Sequence, residues 1–335
     1  MATNKSGRAT QAAVAARAGV SGATVSYVLN GRADRANPVS ATTRERVLAA
    51  ARELGYQPNR SGRMLRRGRT DLVAIVHSPP TTPWVEELSR QLEVAAEGHS
   101  TGVIHLLMHG ENGADRIAAL LAGGLVDGAV LVGVGLSSRH RTLLARSPLA
   151  MTFVDESLRP RGFDVVRQHI QAGMRLATRA LVEQGRRRIA FLDNGGRSRH
   201  DGFQQGLREA GMDIDPSLVR RVGESRDEML QAALSLLSTR PRLRPDALLS
   251  GTDRGAIAAL WAARSLDLSV PDDLAVVGAG NTPEGMAVRP MLTTVGPSTL
   301  DFQPVLERLF ARIADPELPG TIIDTPWQVV RRDSA

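Results

Sequence analysis

The sequence predicts a small all-α headpiece followed by a large α/β core built in two halves. Three observations carry that reading. The first 70 residues hold 13 Arg or Lys against 3 Asp or Glu, while the rest of the chain holds 29 basic and 32 acidic groups. Thr10 to Gly31 reads as two short helices around a tight turn. From Asp71 onward, strand-like and helix-like segments alternate, as they do when helices cover a parallel sheet. At 335 residues the chain is long enough for one small and one large domain. Lys5 is the one lysine, so arginine carries the positive charge.

Within TQAAVAARAGVSGATVSYVLNG, Gly19 supplies the turn, and Val14, Val20, Val25, Val28 and Leu29 supply a shared apolar core. This is the spacing of a helix-turn-helix, whose second helix lies in the DNA major groove. The basic cluster around it is the electrostatic footprint of nucleic-acid binding. A third helix is predicted over Thr42 to Leu54, capped by Ser40 and stopped by Gly55, with Val47, Leu48, Ala51 and Leu54 on one face.

Pro58 blocks that helix from continuing. Asn59 then caps a short predicted helix across Arg60 to Arg67, a segment rich in arginine around Met64 and Leu65. A basic helix with an exposed Met-Leu pair suits a minor groove, with arginines on phosphates and an apolar wedge between base pairs. An ordinary arginine-rich linker is the alternative. The expected boundaries are a headpiece over 1–58, a hinge over 59–70 and a core over 71–335.

In the core, strands are expected at Leu72 to Val76, Val103 to Met108, Gly128 to Val132, Arg188 to Leu192, Ala247 to Ser250 and Leu274 to Val277. Helices are expected at Trp84 to Glu97, Asp115 to Gly123, Ala172 to Gln184, His200 to Ala210, Arg226 to Thr239 and Gly255 to Leu266. Two such halves each place a crevice beyond their strand ends.

These residues resemble the lactose-repressor/galactose-repressor (LacI/GalR) family of bacterial transcription regulators. The headpiece pattern is matched by Val14, Ala15, Ala18-Gly19-Val20-Ser21, Thr24-Val25-Ser26 and Val28-Leu29-Asn30, and the hinge pattern by Tyr56, Pro58-Asn59, Arg63 and Leu65. Val126-Asp127-Gly128, Val154-Asp155, Arg199 with Gly202-Phe203, Pro245-Asp246-Ala247, Val270-Pro271-Asp272-Asp273 and Leu292-Thr293-Thr294-Val295 extend the likeness over nearly the whole chain. The resemblance implies a helix-turn-helix headpiece on a two-lobed, periplasmic-binding-protein-like core. It implies a sequence-specific DNA-binding regulator, above all a repressor, acting as a homodimer on palindromic double-stranded operator DNA. A small-molecule effector between the lobes would control operator affinity. A constitutive DNA-binding or architectural protein with a vestigial cleft is the alternative.

The resemblance assigns DNA contact to Ser21, Gly22, Ala23, Thr24, Ser26, Tyr27, Asn30, Asn59, Arg63, Leu65 and Arg66, with Leu65 as the intercalating residue of a hinge helix that folds on DNA. Gly22, Ala23 and Tyr27 hold the base-reading positions, and none offers the bidentate grip of Arg, Asn or Gln. Shape, hinge insertion and phosphate contacts are therefore expected to carry much of the affinity. Gly62 replaces the usual alanine of the hinge helix, at a cost of about 1 kcal/mol to its folding.

The expected effector residues are Asp155 and Arg199, with His77, Ser78, Trp84, Thr252, Arg254 and Asn281. An aspartate and an arginine facing each other can anchor hydroxyls or a carboxylate. Gly278-Ala279-Gly280-Asn281 stands where sugar-responsive members carry an acid, and Arg254 follows Thr252-Asp253. The cleft has thus lost an acid and gained a cation, which points to a sugar derivative or an anionic metabolite rather than a plain neutral sugar.

Other classes find little support. The seven histidines show no metal-ligand spacing, and no nucleophile elbow or phosphate-binding lysine loop is present. No enzyme activity, metal or cofactor is expected. The first residues lack an apolar signal core, and no apolar run approaches a membrane span of about 20 residues. The expectation is a cytoplasmic, nucleoid-associated protein with no membrane partner.

Overall fold

A computed structural model of the chain describes residues 9–29, 39–56, 68–79, 81–110, 112–223 and 225–335. The chain divides into two compact units, Met1–Thr70 and Asp71–Ala335. Five predicted DNA contacts, Asn30, Asn59, Arg63, Leu65 and Arg66, lie outside the described residues, as does the predicted hinge helix.

The first unit holds α1 (Gln11–Ala18), α2 (Gly22–Leu29) and α3 (Ala41–Glu53). Thr10 caps α1 by accepting from the Ala13 N–H at 3.2 Å, and Ser40 caps α3 by accepting from the Thr43 N–H at 3.2 Å. Gly19 ends α1 in the left-handed conformation, φ +63°, which a glycine adopts without steric cost. Val14, Val25 and Val47, all fully buried, bring the three helices together, with Val28, Ala50 and Ala51 beside them. Leu48, expected inward, points out and is 40% exposed. Ala50 takes the buried place instead, because a small residue suits the close contact of three short helices. An Arg17–Glu53 ion pair at 2.8 Å links α1 to α3 at the surface.

The second unit is two α/β lobes. Lobe one contains β1 (Leu72–His77), α4 (Pro83–Gly98), β2 (Gly102–Leu107), α5 (Gly113–Ala122), β3 (Gly128–Val132), α6 (Ser138–Leu144), β4 (Ala150–Val154) and β5 (Asp164–Arg167). Lobe two contains α7 (Ile170–Glu183), β6 (Ile189–Asp193), α8 (Arg197–Glu209), β7 (Val219–Arg221), α9 (Arg226–Leu237), β8 (Ala247–Ser250), α10 (Asp253–Ser265), β9 (Ala275–Ala279), α11 (Glu284–Ala287) and β10 (Thr293–Gly296). The chain then returns to lobe one with α12 (Gln303–Ala314) and β11 (Ile322–Asp324), and ends in lobe two with β12 (Gln328–Val330).

The lobe-one sheet runs β11-β5-β4-β3-β1-β2, with every pairing parallel. The lobe-two sheet runs β12-β10-β9-β8-β6-β7, parallel except for β12 on β10. The central strands are apolar on both faces because helices cover both. In β1, Val73 and Ile75 pack with Leu88 and Leu92 of α4, while Ala74 and Val76 pack with Ile117 and Leu121 of α5. The chain therefore passes between lobes three times, at 168–169, 297–302 and 325–327. Among the described residues no single helix is long and apolar enough to cross a membrane.

One buried charge cluster holds the returning segment in lobe one. Asp164 and Arg312 are 0% and 2% exposed, and Arg312 donates to both carboxylate oxygens at 2.9 and 3.0 Å. Arg308 and the Thr321 N–H add contacts at 3.2 and 2.9 Å, and Arg312 also donates to the Leu318 carbonyl at 2.7 Å. The cluster ties β5, α12 and the approach to β11 into one unit. Removing one partner strands a buried charge. Asp164→Ala should therefore lose about 3–5 kcal/mol of stability in urea unfolding of the full chain. A loss below about 1 kcal/mol, the range of an exposed ion pair, would show that the cluster does not hold the segment.

Candidate functional site

In the first unit the axes of α1 and α2 turn by 103°, within the roughly 90–120° of a helix-turn-helix. Two contacts set the turn. Ser21 caps α2 by accepting from the Thr24 N–H at 3.1 Å, and Gln11 of α1 donates to the Gly22 carbonyl at 2.7 Å. Ser21, Gly22 and Ala23 are exposed, Thr24, Ser26 and Tyr27 are half-buried, and Val25 and Val28 face the core. The six predicted contacts that are described thus share the first two turns of α2 or its cap. Two backbone N–H groups and several hydroxyls are presented there, without a charged side chain.

The second unit holds a cavity of about 610 Å³, within the usual range for small-molecule sites. Its walls come from both lobes, and each functional group follows the C-terminal end of a parallel strand. His77 ends β1, Asp155 follows β4, Asn194 follows β6, Thr252 follows β8 and Gly280 follows β9. That placement is what open parallel sheets produce, because strand ends and helix starts converge there. Of the predicted effector residues, the cavity brings together His77, Ser78, Trp84, Asp155, Arg199, Thr252 and Arg254.

Asn281 is not among the lining residues. Its backbone is left-handed, φ +54°, and its amide donates to the carbonyls of Pro297 and Ser298 at 2.8 and 3.2 Å. Its oxygen accepts from Arg332 at 2.6 Å. The expectation that Asn281 faces the effector is corrected on this geometry: its polar groups are engaged by the second lobe crossing and the C-terminal segment.

Several lining residues carry clear local causes. Asp155 accepts at one oxygen from the Ser157 N–H, the Ser157 hydroxyl and the Leu158 N–H at 2.7, 2.8 and 2.9 Å, which fixes its carboxylate. Arg199 passes over Trp327, its guanidinium carbon 5.8 Å from the ring centroid. A Cβ at Gly196 would lie 3.0 Å from its Nη1, and one at Gly251 would lie 2.5 Å from Asn194 Oδ1 and 3.3 Å from the Arg199 Cδ, so Gly251 makes room first for Asn194. One turn later, a Cβ at Gly202 would lie 2.4 Å from the Gln171 carbonyl, so α8 seats against α7 only with glycine there. Thr252 caps α10, accepting from the Gly255 N–H at 3.1 Å. The Nδ1 of His77 lies 3.1 Å from the Ser78 carbonyl. A carbonyl only accepts, so Nδ1 carries a proton, and in the neutral imidazole Nε2 is then an acceptor.

Glu156, Trp327 and Asp253 are among the cavity residues that sequence reasoning missed. Glu156 follows Asp155 and accepts from the N–H groups of Gln168, His169 and Ile170 at 3.1, 3.2 and 3.4 Å. Trp327 sits in the third crossing, beside no recognisable pattern; a Cβ at Gly173 would strike its Cβ at 2.6 Å. Asp253 opens α10 and is buried. Its carboxylate accepts from the Thr294 hydroxyl and from the Thr282 N–H, the latter at 2.6 Å. Gly278 leaves the space it occupies, since a Cβ there would lie 2.3 Å from Asp253 Oδ1. So the cleft holds a buried acid at Asp253, although none stands at Gly278 to Asn281. Burial pushes the Asp253 pKa up, while its hydrogen bonds and Arg332 pull it down by less. Among the described residues, no cluster of His, Asp or Glu could hold a metal ion.

Comparison with known proteins adds two families and several relatives. Residues 12–59 match the family described as bacterial regulatory proteins, lacI family, and residues 178–335 match the periplasmic binding protein-like domain. The chain is 33% identical over 304 residues to the HTH-type transcriptional regulator CelR of Thermobifida fusca, covering 87% of this chain and 88% of that one. A solved complex of a transcriptional regulator CelR with cellobiose is similar at a TM-score of 0.67 and 28% identity, covering 98% of this chain and 100% of that one. A lac repressor dimer bound to operator and the anti-inducer ONPF is similar at a TM-score of 0.77 and 25% identity, covering 98% of this chain and 99% of that one.

The raised pKa of Asp253 has a sign that can be checked. Its folded value lies above the ordinary one, so its contribution is full below the ordinary carboxylate range, near 3.9, and is lost as pH rises through the raised value. Asp253→Asn cannot titrate. Urea unfolding of both proteins from about pH 4 to about pH 8 should show the wild type losing stability relative to the variant as pH rises. A wild-type advantage that grows with pH would mean that the hydrogen bonds outweigh burial.

Proposed function

The chain belongs to the lacI family of bacterial regulatory proteins, and we propose that it is a repressor whose affinity for a two-fold-symmetric DNA site is controlled by a small molecule in the interlobe cavity. The observation that carries this reading is the helix pair turned by 103°, with the first turns of its second helix presented outward. In the proposal, Ser21 to Tyr27 enter a major groove. Asn30, Asn59, Arg63, Leu65 and Arg66 contact the backbone and the minor groove, with Leu65 prying the central step apart. The headpiece would span 1–58 and the hinge 59–70.

The effector would be held between Asp155, fixed in lobe one, and Arg199, fixed in lobe two, with His77, Ser78, Trp84, Thr252 and Arg254 around it. Related regulators bind small molecules, which supports this reading: the CelR structure is a complex with cellobiose, and the lac repressor structure carries an anti-inducer. A vestigial cleft is disfavoured by the buried polar atoms of its lining. His77 Nε2 and Trp327 Nε1 have no hydrogen-bond partner among the described residues, and leaving such atoms unmet is costly. The relatives are transcriptional regulators, and we assign the chain no catalytic step. Its place of action would be the cytoplasm, on the nucleoid.

Paired half-sites require a two-fold partner. A groove of about 230 Å³ on lobe two is lined by Ile257, Ala258, Trp261, Ala287 and Val288, with Arg226, Arg254 and Glu284 beside them. Trp261 is 47% exposed there and Met286 nearby is 53% exposed. We assign this surface to the second copy of a homodimer; the lac repressor relative is a dimer.

Selection from random duplex DNA should return a two-fold-symmetric sequence bound with a dissociation constant of roughly 10⁻⁸ M or tighter at physiological salt. A metabolite screen against that complex should find a compound that shifts the affinity. Arg199→Ala should keep DNA affinity within about threefold, under 1 kcal/mol, and lose the metabolite response. Equal loss of DNA binding and response would mean that Arg199 holds the fold rather than the effector.

A further inference from the structure

The acids and bases of the cavity are not in the same condition. Each carboxylate already has donors from its own chain. Asp155 takes three hydrogen bonds at one oxygen. Glu156 takes backbone N–H groups at both oxygens. Asp253 takes Thr294 at one oxygen and Thr282 at the other. Arg254 is different. It is half-buried on the first turn of the 13-residue helix α10, and among the described residues it makes no hydrogen bond or ion pair. Its Nε is buried from solvent.

A guanidinium in that state is under-satisfied, and the group that suits it is a planar or tetrahedral oxyanion. One further lining group suits an oxyanion: Trp327, 6% exposed, presents an N–H donor with no partner among the described residues. His77, 2% exposed, presents its Nε2, which in the neutral imidazole is an acceptor and suits a hydroxyl. Trp84 and Trp327 add indole surface to the wall. The lining therefore offers a cation and a donor for charged oxygens. It also offers His77 and the second oxygen of Asp155 for hydroxyls, and aromatic faces for a ring.

We propose that the ligand of this cavity is a hydroxylated ring or chain carrying one carboxylate or phosphate, and that Arg254 selects it by binding that anion. The proposal rests on the reading that the cavity holds an effector. It makes Arg254 the residue that discriminates against neutral sugars, with Asp155 and Arg199 holding the polyol part.

Arg254 also lines the groove that carries Trp261, so its competing role is contact with the second copy. The test uses the full-length protein and two readouts. Melting temperature and tryptophan fluorescence are followed with hexose phosphates and aldonic acids, each beside its neutral parent sugar. Light scattering follows the dimer. The expected result is binding of an anionic member at least tenfold tighter than its parent. Arg254→Gln should remove that preference and leave the dimer intact. The phosphate and carboxylate arms identify which anion is used.

Three results would overturn the proposal. One is neutral sugars binding as tightly as their anionic forms, with Arg254→Gln unchanged, which would leave the effector reading standing. Another is Arg254→Gln dissociating the dimer without altering ligand preference, which would place the side chain at the interface. The third is silence from every anion in the panel, in which case the separate screen for DNA release decides whether the cavity has any effector.

Discussion

The carboxylate of Glu156 joins the two lobes at the edge of the cavity. It leaves lobe one just after β4 and accepts three backbone N–H groups where the chain crosses into α7. A carboxylate there also meets the positive end of a 14-residue helix. The other crossings are held with equal economy. His169 of the first crossing contacts Asp324 beside the third at 2.7 Å. Gln91 of α4 clamps the far end of the second crossing, donating to the Leu300 carbonyl and accepting from the Phe302 N–H at 2.7 and 2.9 Å. Asn281 clamps its near end. Three pinned strands of chain restrict how one lobe can move against the other, and the cavity lies where that movement would be felt.

This arrangement explains why the cavity residues come from so many places in sequence. Parallel strands deliver their C-terminal ends to one edge of each sheet, and the crossings set those edges face to face. Small residues then decide what reaches the opening. Gly202 lets α8 press against α7, Gly196 lets Arg199 pass, Gly251 makes room for Asn194, and Gly278 makes room for Asp253. A ligand bridging the lobes alters their equilibrium only if it prefers one arrangement. On the proposed function, Asp155 in lobe one and Arg199 with Arg254 in lobe two would supply contacts of that kind.

Much of this was legible in the residues themselves. The turn at Gly19, the cap at Ser40 and most of the strands and helices from Leu72 to Val277 follow from local rules and appear where those rules place them, while α6, β4, β5 and β7 were not foreseen. Four-residue and three-residue strands such as β5, β11 and β12 are too short to show a period, and they are the ones that carry the chain between lobes. Asn281 misled because neighbours in sequence, Ala279 and Gly280, do line the cavity, while a left-handed backbone turns Asn281 to the crossing. Trp327 and Glu156 were invisible because their roles come from tertiary packing alone. Asp253 was quoted within a motif, but its burial beneath Gly278 depends on a neighbouring strand.

The central claim is that occupancy of the cavity and affinity for DNA are one coupled equilibrium. Reciprocal titration tests it most directly. DNA affinity is measured by anisotropy with and without the metabolite that most raises the melting temperature. The affinity of that metabolite is measured by tryptophan fluorescence with and without DNA. Linkage requires the same factor in both directions, typically 5–150-fold, or about 1–3 kcal/mol. The account expects equal factors in that range. A metabolite that saturates the cavity and leaves DNA affinity unchanged would contradict it.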